Sequence, residues 1–189
     1  MVDQHEYIRG LLPYLDIVKG TALPSLFLSQ GCKESGFGKY EFFNNFMGIK
    51  CHKGVKCRIG KTSEVIDGAL VPDLKLAFAV YDSREDCAKD YVRILNYKYS
   101  NGFDRYAPVR AAQCYQQATY QIQACGYATG LTYGASLRAN YIEPYVLYDF
   151  DFKKNYKSDI TKNFKWYEAF SSVKLPNRRQ YQKAIEPPE

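Results

Sequence analysis

The fold of this chain is decided by one stretch, which reads Gln30-Gly31-Cys32-Lys33-Glu34-Ser35-Gly36-Phe37-Gly38-Lys39. It predicts a helix over residues 25–35 that Gly36 terminates, because glycine readily takes the left-handed conformation that ends helices. Phe27, Gln30 and Glu34 fall at i, i+3 and i+7 and therefore share one helix face. The apolar turn before Glu34 should bury its carboxylate in part, which would raise the pKa of Glu34 towards that of a general acid.

Further motifs follow this helix in order: Asn44-Asn45-Phe46-Met47-Gly48-Ile49-Lys50, Tyr81-Asp82-Ser83, Gly126-Tyr127-Ala128-Thr129 with Tyr133, and Tyr145-Val146-Leu147-Tyr148-Asp149. Over about residues 5–151 the chain resembles the glucosaminidase family of peptidoglycan hydrolases (glycoside hydrolase family 73). That family includes FlgJ-type muralytic domains, bacterial autolysins and phage lysins. The resemblance implies a bacterial glycan strand as substrate and no cofactor.

The apolar periodicity predicts an α+β chain, mainly helical, with a small antiparallel β-lobe that flanks a cleft, like lysozyme. The expected helices are 3–19, broken at Pro13, then 25–35, 84–99, 108–125 and 133–145; the expected strands are 46–51, 60–66 and 77–81, with a loop over 67–75. The first two strands are expected to be joined by the turn between Cys51 and Cys57. Ser83-Arg84-Glu85-Asp86 has the form of a capping box.

Cleavage of a glycoside needs an acid that protonates the leaving oxygen and a second group at the anomeric centre. The resemblance implies that Glu34 is the acid and that a Thr-x-Glu strand of the β-lobe, here Thr62-Ser63-Glu64, carries the second carboxylate. Strand alternation puts Thr62 and Glu64 on one face. Three alternatives stay open for Glu64: a solvent-facing strand residue, the base of an inverting mechanism, or a bystander to catalysis by the 2-acetamido group of the sugar.

Two tyrosines match the family's Gly-Tyr-Ala-Thr-Asp-x-x-Tyr motif. The resemblance implies that one of them lines the cleft near the scissile bond, and we assign Tyr127 to catalysis and Tyr133 to substrate binding. The alternative is that both close the core after a helix. Gly130 stands where the family has Asp, which puts the rigidity of this turn in doubt.

Three further positions are candidate substrate-binding residues. Tyr81 is expected in the cleft or the core, Asn45 is expected to brace the backbone near the cleft floor, and Phe37 is expected either to stack on a sugar or to pack in the core.

Composition excludes several classes of function. The net charge is +6, and the chain has no nucleic-acid-binding motif and no dense block of Lys and Arg, so nucleic acid is not expected as a partner. No apolar run is long enough to span a bilayer, and no membrane partner is expected. We expect a monomer. The polar N-terminus lacks the features of a signal peptide, which predicts a phage virion or the host cytoplasm before release, with action on the bacterial cell wall.

Six cysteines leave more than one interpretation open. Buried free thiols are the default expectation, and a Cys51–Cys57 bridge is the alternative. A zinc site would need two more ligands near this pair, so no metal is predicted.

Composition changes after Asp151, which predicts a catalytic domain over residues 1–151 and a linker or extension over 152–189. The run from Phe164 to Phe170 resembles the opening of M15-like peptidase domains, which would make the chain part of a two-domain lysin. The alternative is an extension that packs onto the first domain.

These features predict an endo-β-N-acetylglucosaminidase that cuts the β-1,4 bond between N-acetylglucosamine and N-acetylmuramic acid. A muramidase or lytic transglycosylase on the same fold is the first alternative. A non-catalytic wall-binding virion module is the second.

Overall fold

The structure, a computed structural model, describes residues 3–66, 69–128 and 130–152. Seven α-helices and one hairpin follow in these residues, with short 3-10 and π segments between them. In chain order the elements are α1 (Gln4–Leu11), a 3-10 turn (Leu12–Tyr14), α2 (Leu15–Val18), α3 (Pro24–Ser35), β1 (Lys56–Ile66), β2 (Ala69–Val80), α4 (Arg84–Leu95), α5 (Ala107–Arg110), α6 (Tyr115–Ala124), α7 (Tyr133–Leu137), a π turn (Arg138–Ile142) and a 3-10 segment (Leu147–Phe152). The predicted α+β, lysozyme-like arrangement is confirmed.

Helix α3 runs through the core. It is buried along its length except at Pro24, Lys33 and Glu34, so the acid sits where the helix opens towards solvent. Gly36 ends the helix in the left-handed conformation at φ +57°, and the Phe37 amide donates to the carbonyl of Cys32 at 2.9 Å. The predicted helix over 25–35 and its glycine stop are therefore confirmed.

The first turn of α3 is capped by a residue distant in sequence. Leu23 stands at the N-cap and has no side chain that can accept a hydrogen bond. Instead, the Asp151 carboxylate accepts from the Ser25 amide at 2.8 Å and from the Ser25 hydroxyl at 2.7 Å. Burial raises the pKa of Asp151 to about 7, against the two hydrogen bonds that lower it.

This pKa predicts a pH-dependent stability. Between the ordinary pKa of 3.8 and the folded value of about 7, the folded chain keeps a proton that the unfolded chain has released. The free energy of unfolding should therefore fall as pH rises from about 4 to about 7, by on the order of 2 to 4 kcal/mol. Asp151→Asn should abolish this fall in denaturant titrations across that range. Asp82→Asn, at an exposed carboxylate, is the control and should show the same decrease in the free energy of unfolding as the parent protein. An Asp151→Asn protein that still shows the full decrease would contradict the assignment of this pH dependence to Asp151.

The β-lobe differs from the expectation. The structure has one antiparallel hairpin of two long strands, and 69–75 belongs to β2 rather than to a loop. Pro72 fits within β2 because the register shifts between Thr62 and Glu64, where β2 has one residue more than β1. Proline is tolerated at such a bulge, since no ladder hydrogen bond is needed there.

The predicted strand over 46–51 is wrong. This segment is irregular and touches β2 at an isolated bridge between Lys50 and Phe78, with hydrogen bonds from the Cys51 amide to Ala77 and from the Ala79 amide to Ile49. Gly48 has φ +63°, which interrupts an extended run. The turn between Cys51 and Cys57 therefore leads into the hairpin but does not join two of its strands.

Three helix boundaries also move. Helix α4 begins at the predicted cap, where the Ser83 hydroxyl accepts from the Asp86 amide at 3.1 Å, but it ends at Leu95 rather than near 99. The predicted helix over 108–125 is two helices, because the Gln117 side chain accepts from the Gln113 amide at 2.9 Å and starts α6 afresh. The last predicted helix is α7 followed by the π turn, which stops at Ile142, two residues before Pro144.

Two of the six cysteines form a disulfide, Cys51–Cys57, which ties the start of β1 to the segment before it. The default expectation of buried free thiols is wrong for this pair and confirmed for Cys32, Cys87 and Cys114, whereas Cys125 is free but only partly buried. The predicted linker or extension over 152–189 lies outside the described residues except for Phe152, and the resemblance of 164–170 to an M15-like domain lies wholly outside them. No helix among the described residues is long and apolar enough to cross a membrane.

Candidate active site

A cleft of about 1300 Å³ lies between the helical body and the hairpin. Its lining includes Glu34 near the end of α3, most of the segment from Asn45 to Lys53, residues 60–63 of β1, and Asp73 and Phe78 of β2. It also includes Tyr97, Tyr99, Arg105 and Tyr106 after α4 and the turn over 126–128. The predicted acid therefore faces a groove shared by both parts of the fold.

The Glu34 carboxylate is held on one oxygen and closely approached at the other. The Tyr133 hydroxyl donates to Glu34 Oε1 at 2.6 Å. A Cβ at Gly48 would lie 3.3 Å from Glu34 Oε2, at a backbone φ of +63° that favours glycine. Gly48 thus lets the main chain pass the carboxylate closely.

Behind Glu34, three buried side chains form a directed chain of hydrogen bonds. Tyr91 donates to Gln30 Oε1 at 2.7 Å, Gln30 Nε2 donates to the Tyr133 oxygen at 3.1 Å, and Tyr133 donates to Glu34. If the Gln30 amide were rotated by 180°, its oxygen would face the Tyr133 hydroxyl. The single Tyr133 proton would then have two acceptors, that amide oxygen and Glu34 Oε1. The amide of Gln30 therefore commits the Tyr133 proton to Glu34.

The two motif tyrosines differ in what they touch. The Tyr127 and Tyr133 rings stack with centroids 6.2 Å apart, but the Tyr127 hydroxyl points to the carbonyl of Met47 at 3.4 Å. Burial raises the pKa of both tyrosines well above the ordinary value, and the nearby Glu34 charge adds to it, so both hydroxyls stay protonated. The residue that contacts the acid is Tyr133.

The other candidate residues take separate places. Asn45 is buried and lines the cleft, and its side chain bonds the main chain of Ile49 and Ala79, as expected of a bracing residue. Tyr81 donates to Asp90 Oδ2 at 2.6 Å and is not among the cleft-lining residues. Phe37 packs against the rings of Tyr7, Tyr141 and Tyr145 and is also not in the lining, so of its two expected places it takes the core.

Glu64 lies in β1, paired with Val71, two residues after the cleft-lining Thr62. Its side chain is outside the described part of the structure, so its predicted role stays a prediction. At the turn where the family has Asp, the Gly130 carbonyl accepts from the Tyr133 amide at 3.1 Å. A main-chain hydrogen bond thus closes the turn before Tyr133, although position 130 has no Asp side chain to brace it.

Sequence reasoning missed a polar cluster beside the cleft. Asp90 is nearly buried and accepts from Arg93 Nε, from Tyr81 and from His52 Nε2, the last at 2.7 Å. Burial raises the pKa of Asp90, but the hydrogen bonds from Tyr81, His52 and Arg93 outweigh it and keep the pKa below its ordinary value. No local pattern joins these residues, which lie up to 41 positions apart. Among the described residues, no group of three or more His, Cys, Asp and Glu could hold a metal ion.

A helical body, a small β-lobe and one helix-borne acid in the cleft between them define the class of lysozyme-like glycoside hydrolases. The sequence model of the Glucosaminidase family, described as mannosyl-glycoprotein endo-beta-N-acetylglucosaminidase, matches residues 19–146. The chain belongs to the glucosaminidase family.

Relatives of known name agree with this family. The exo-glucosaminidase LytG of Bacillus subtilis (strain 168) is 28% identical over 155 residues, or 79% of this chain, which spans 54% of LytG. The catalytic domain of the autolysin Auto from Listeria monocytogenes is 27% identical with a TM-score of 0.64, over 78% of this chain and 86% of that one. A truncated glycoside hydrolase domain of FlgJ from Salmonella typhimurium is 27% identical with a TM-score of 0.55, over 72% and 94%.

Proposed function

We propose that this protein is an endo-β-N-acetylglucosaminidase that cleaves peptidoglycan between N-acetylglucosamine and N-acetylmuramic acid. The observation that carries the proposal is the position of Glu34 in the cleft, with Oε1 bonded to Tyr133. Oε2 is the oxygen assigned to donate a proton to the glycosidic oxygen. The bond between the glycosidic oxygen and the anomeric carbon then breaks. A water molecule supplies the new hydroxyl at the anomeric carbon and returns a proton to the enzyme.

The second group at the anomeric centre is assigned to Glu64. Its strand borders the cleft, since Thr62 and Ser63 belong to the lining. Two mechanisms fit one helix-borne acid. In inversion, Glu64 would activate water on the opposite face of the sugar; in substrate assistance, the 2-acetamido group would attack the anomeric carbon. Loss of activity in Glu64→Gln comparable to that in Glu34→Gln favours inversion, and retained activity favours substrate assistance.

The bond that is cleaved decides between this function and its rivals. Purified peptidoglycan is digested, the new ends are reduced with borohydride, and the products are identified by mass spectrometry. Reduced N-acetylglucosamine ends support the proposal. Reduced muramic ends would indicate a muramidase, and anhydro-muramic ends a lytic transglycosylase. No new ends would indicate a wall-binding module.

Internal cleavage is the second part of the proposal, because LytG carries the name of an exo-enzyme. The cleft volume of about 1300 Å³ exceeds that of a pocket for one small ligand, which supports binding within a strand. An endo-enzyme shortens the mean strand length early in digestion. Release of terminal units alone, with the strand length nearly unchanged, would contradict endo action.

Tyr133→Phe should lower the cleavage rate about 10- to 100-fold and move the alkaline limb of the pH–rate profile to higher pH. The hydroxyl stabilises the charged carboxylate, so without it the acid keeps its proton to higher pH. Tyr127→Phe, whose hydroxyl faces Met47, should not move the limb. An unmoved limb in Tyr133→Phe would contradict the assignment.

We infer that the protein acts on the bacterial cell wall and that a phage virion or the host cytoplasm holds it before release. The Cys51–Cys57 disulfide is consistent with action outside a reducing compartment.

A further inference from the structure

The loop that follows α4 carries an exposed cluster of aromatic rings, two of which line the cleft. Tyr97, Tyr99 and Phe103 are 51%, 43% and 59% exposed. Their rings touch in sequence, with centroids 5.2 Å apart for the first pair and 5.8 Å for the second. Tyr97 and Tyr99 belong to the cleft lining. These rings take no part in the core, so their apolar faces remain available to a ligand.

The loop holds its rings in place by main-chain contacts. The Tyr99 amide donates to the Phe103 carbonyl at 2.9 Å, and the Gly102 amide donates to the Tyr99 carbonyl at 2.8 Å. Gly102 has φ +81°, which a tight turn of this kind requires. The ring spacing is therefore set before any ligand arrives, which lowers the entropic cost of binding.

An arginine lies beside this cluster in the same cleft wall. Arg105 donates through Nε to the Cys125 carbonyl and through Nη2 to the Gly126 carbonyl at 2.8 Å, and its guanidinium covers the Tyr106 ring. These partners are two main-chain carbonyls and an aromatic ring, and none of them carries a negative charge. A Cβ at Gly126 would lie 2.6 Å from Nη2, so the glycine makes room for this arrangement.

The cleft is more basic than the rest of the body. Among the residues that the structure describes, five basic side chains line it, Lys50, Lys53, Lys61, Arg93 and Arg105, against the two acids Glu34 and Asp73. Residues 1–152 hold 17 Lys and Arg against 16 Asp and Glu, so positive charge is concentrated at the cleft. Such a groove attracts an anionic ligand and discriminates little among neutral ones.

We propose that the loop from Asn96 to Tyr106 forms a distal subsite for a peptide-bearing muramyl unit of the glycan strand. The pyranose ring packs against the face of one cleft-lining tyrosine and the edge of the other, because the rings of Tyr97 and Tyr99 stand at 80° to each other. Arg105 pairs with a carboxylate of the stem peptide. The inference rests on the proposed function and adds the part of the substrate that is recognised. A sugar face suits the exposed rings, and a carboxylate suits the guanidinium fork, whereas a polymer of N-acetylglucosamine alone offers no carboxylate.

The test compares two sacculi that share one glycan. One is untreated, and in the other the carboxylates are converted to carboxamides with carbodiimide and ammonia. Binding is measured by co-sedimentation in a Glu34→Gln background, and cleavage by new reducing ends in the active protein. Arg105→Gln should bind untreated sacculi about tenfold more weakly and amidated sacculi as the parent does. Arg105→Lys, which keeps the charge, should retain a preference for untreated sacculi.

A separate pair of variants tests the contribution of the aromatic rings to binding. Tyr97→Ala with Tyr99→Ala should weaken binding to both sacculi by about tenfold. Tyr120→Ala, at a ring that is 65% exposed on α6 and outside the cleft lining, is the matched control and should bind as the parent does.

Each arm can overturn the proposal. Equal weakening of Arg105→Gln on both sacculi would show that the arginine only braces the turn at Gly126. Binding by the double tyrosine variant that equals Tyr120→Ala would remove the stacking platform. If the active protein releases no reducing ends from either sacculus, the proposed function fails, and the binding comparison still decides the subsite.

Discussion

Glu34→Gln should lower the cleavage of peptidoglycan by about 10²- to 10⁴-fold, because an amide cannot give the leaving oxygen its proton. The fold should survive, since the amide oxygen can still accept from Tyr133 in place of Oε1. The measurement is the initial rate of new reducing ends from purified sacculi, with the thermal midpoint of unfolding taken for both proteins.

Glu85→Gln is the matched control for this variant. Glu85 is an exposed acid in the first turn of α4 that pairs with Lys89 at the surface. Its loss should leave the cleavage rate unchanged and cost a few tenths of a kcal/mol in stability at most. A Glu34→Gln protein that keeps more than a tenth of the activity would remove Glu34 from the role of general acid. If Glu34→Gln and Glu85→Gln bind sacculi equally well, the loss of activity in Glu34→Gln is a loss of catalysis and not of binding.

Gly134→Ala should destabilise the fold by about 3 kcal/mol, at the upper end of the cost of overpacking. A Cβ at Gly134 would lie 2.3 Å from the Thr119 carbonyl oxygen and 3.0 Å from its carbon, which are main-chain atoms of α6. Because a backbone cannot rotate away as a side chain can, α6 and α7 would have to separate. The preceding residue in the chain is Tyr133, so activity should fall with stability.

The control for this variant is Gly10→Ala. Gly10 is also helical, and a Cβ there meets only the Arg84 guanidinium at 3.5 Å. This change should be neutral or should stabilise by up to about 1 kcal/mol, because alanine favours the helix. Denaturant unfolding of both variants is the measurement. If the two differ by less than about 1 kcal/mol, the contact between α6 and α7 does not constrain the fold.

The sequence predicted the elements whose signals are local. The end of α3 at Gly36, the cap at Ser83, the break at Pro13 and the position of Glu34 all depend on residues within a turn or two of one another. Such signals act through backbone conformation and nearby hydrogen bonds, which do not need the rest of the chain. For the same reason the family motif around Glu34 could be recognised in a single sequence.

Errors arose where distant segments decide the outcome. The segment 46–51 looks like a strand, but Gly48 turns the main chain past Glu34 and leaves only a bridge to β2. Pro72 looks like a loop residue, but pairing with β1 across a bulge keeps it in the hairpin. In both cases tertiary contacts outweigh local preference.

The sequence by itself thus determined the helical body, the family and the helix that carries the candidate acid Glu34. Only the tertiary structure decided which tyrosine contacts that acid, because the Gln30 amide reaches Tyr133 from 103 residues away and the Tyr91 hydroxyl reaches Gln30 from 61 residues away. The same holds for the cap that Asp151 supplies to Ser25 from 126 residues away. Buried polar groups are hydrogen-bonded to whichever partner the fold places beside them, and the periodicity of the sequence does not predict which residue that is.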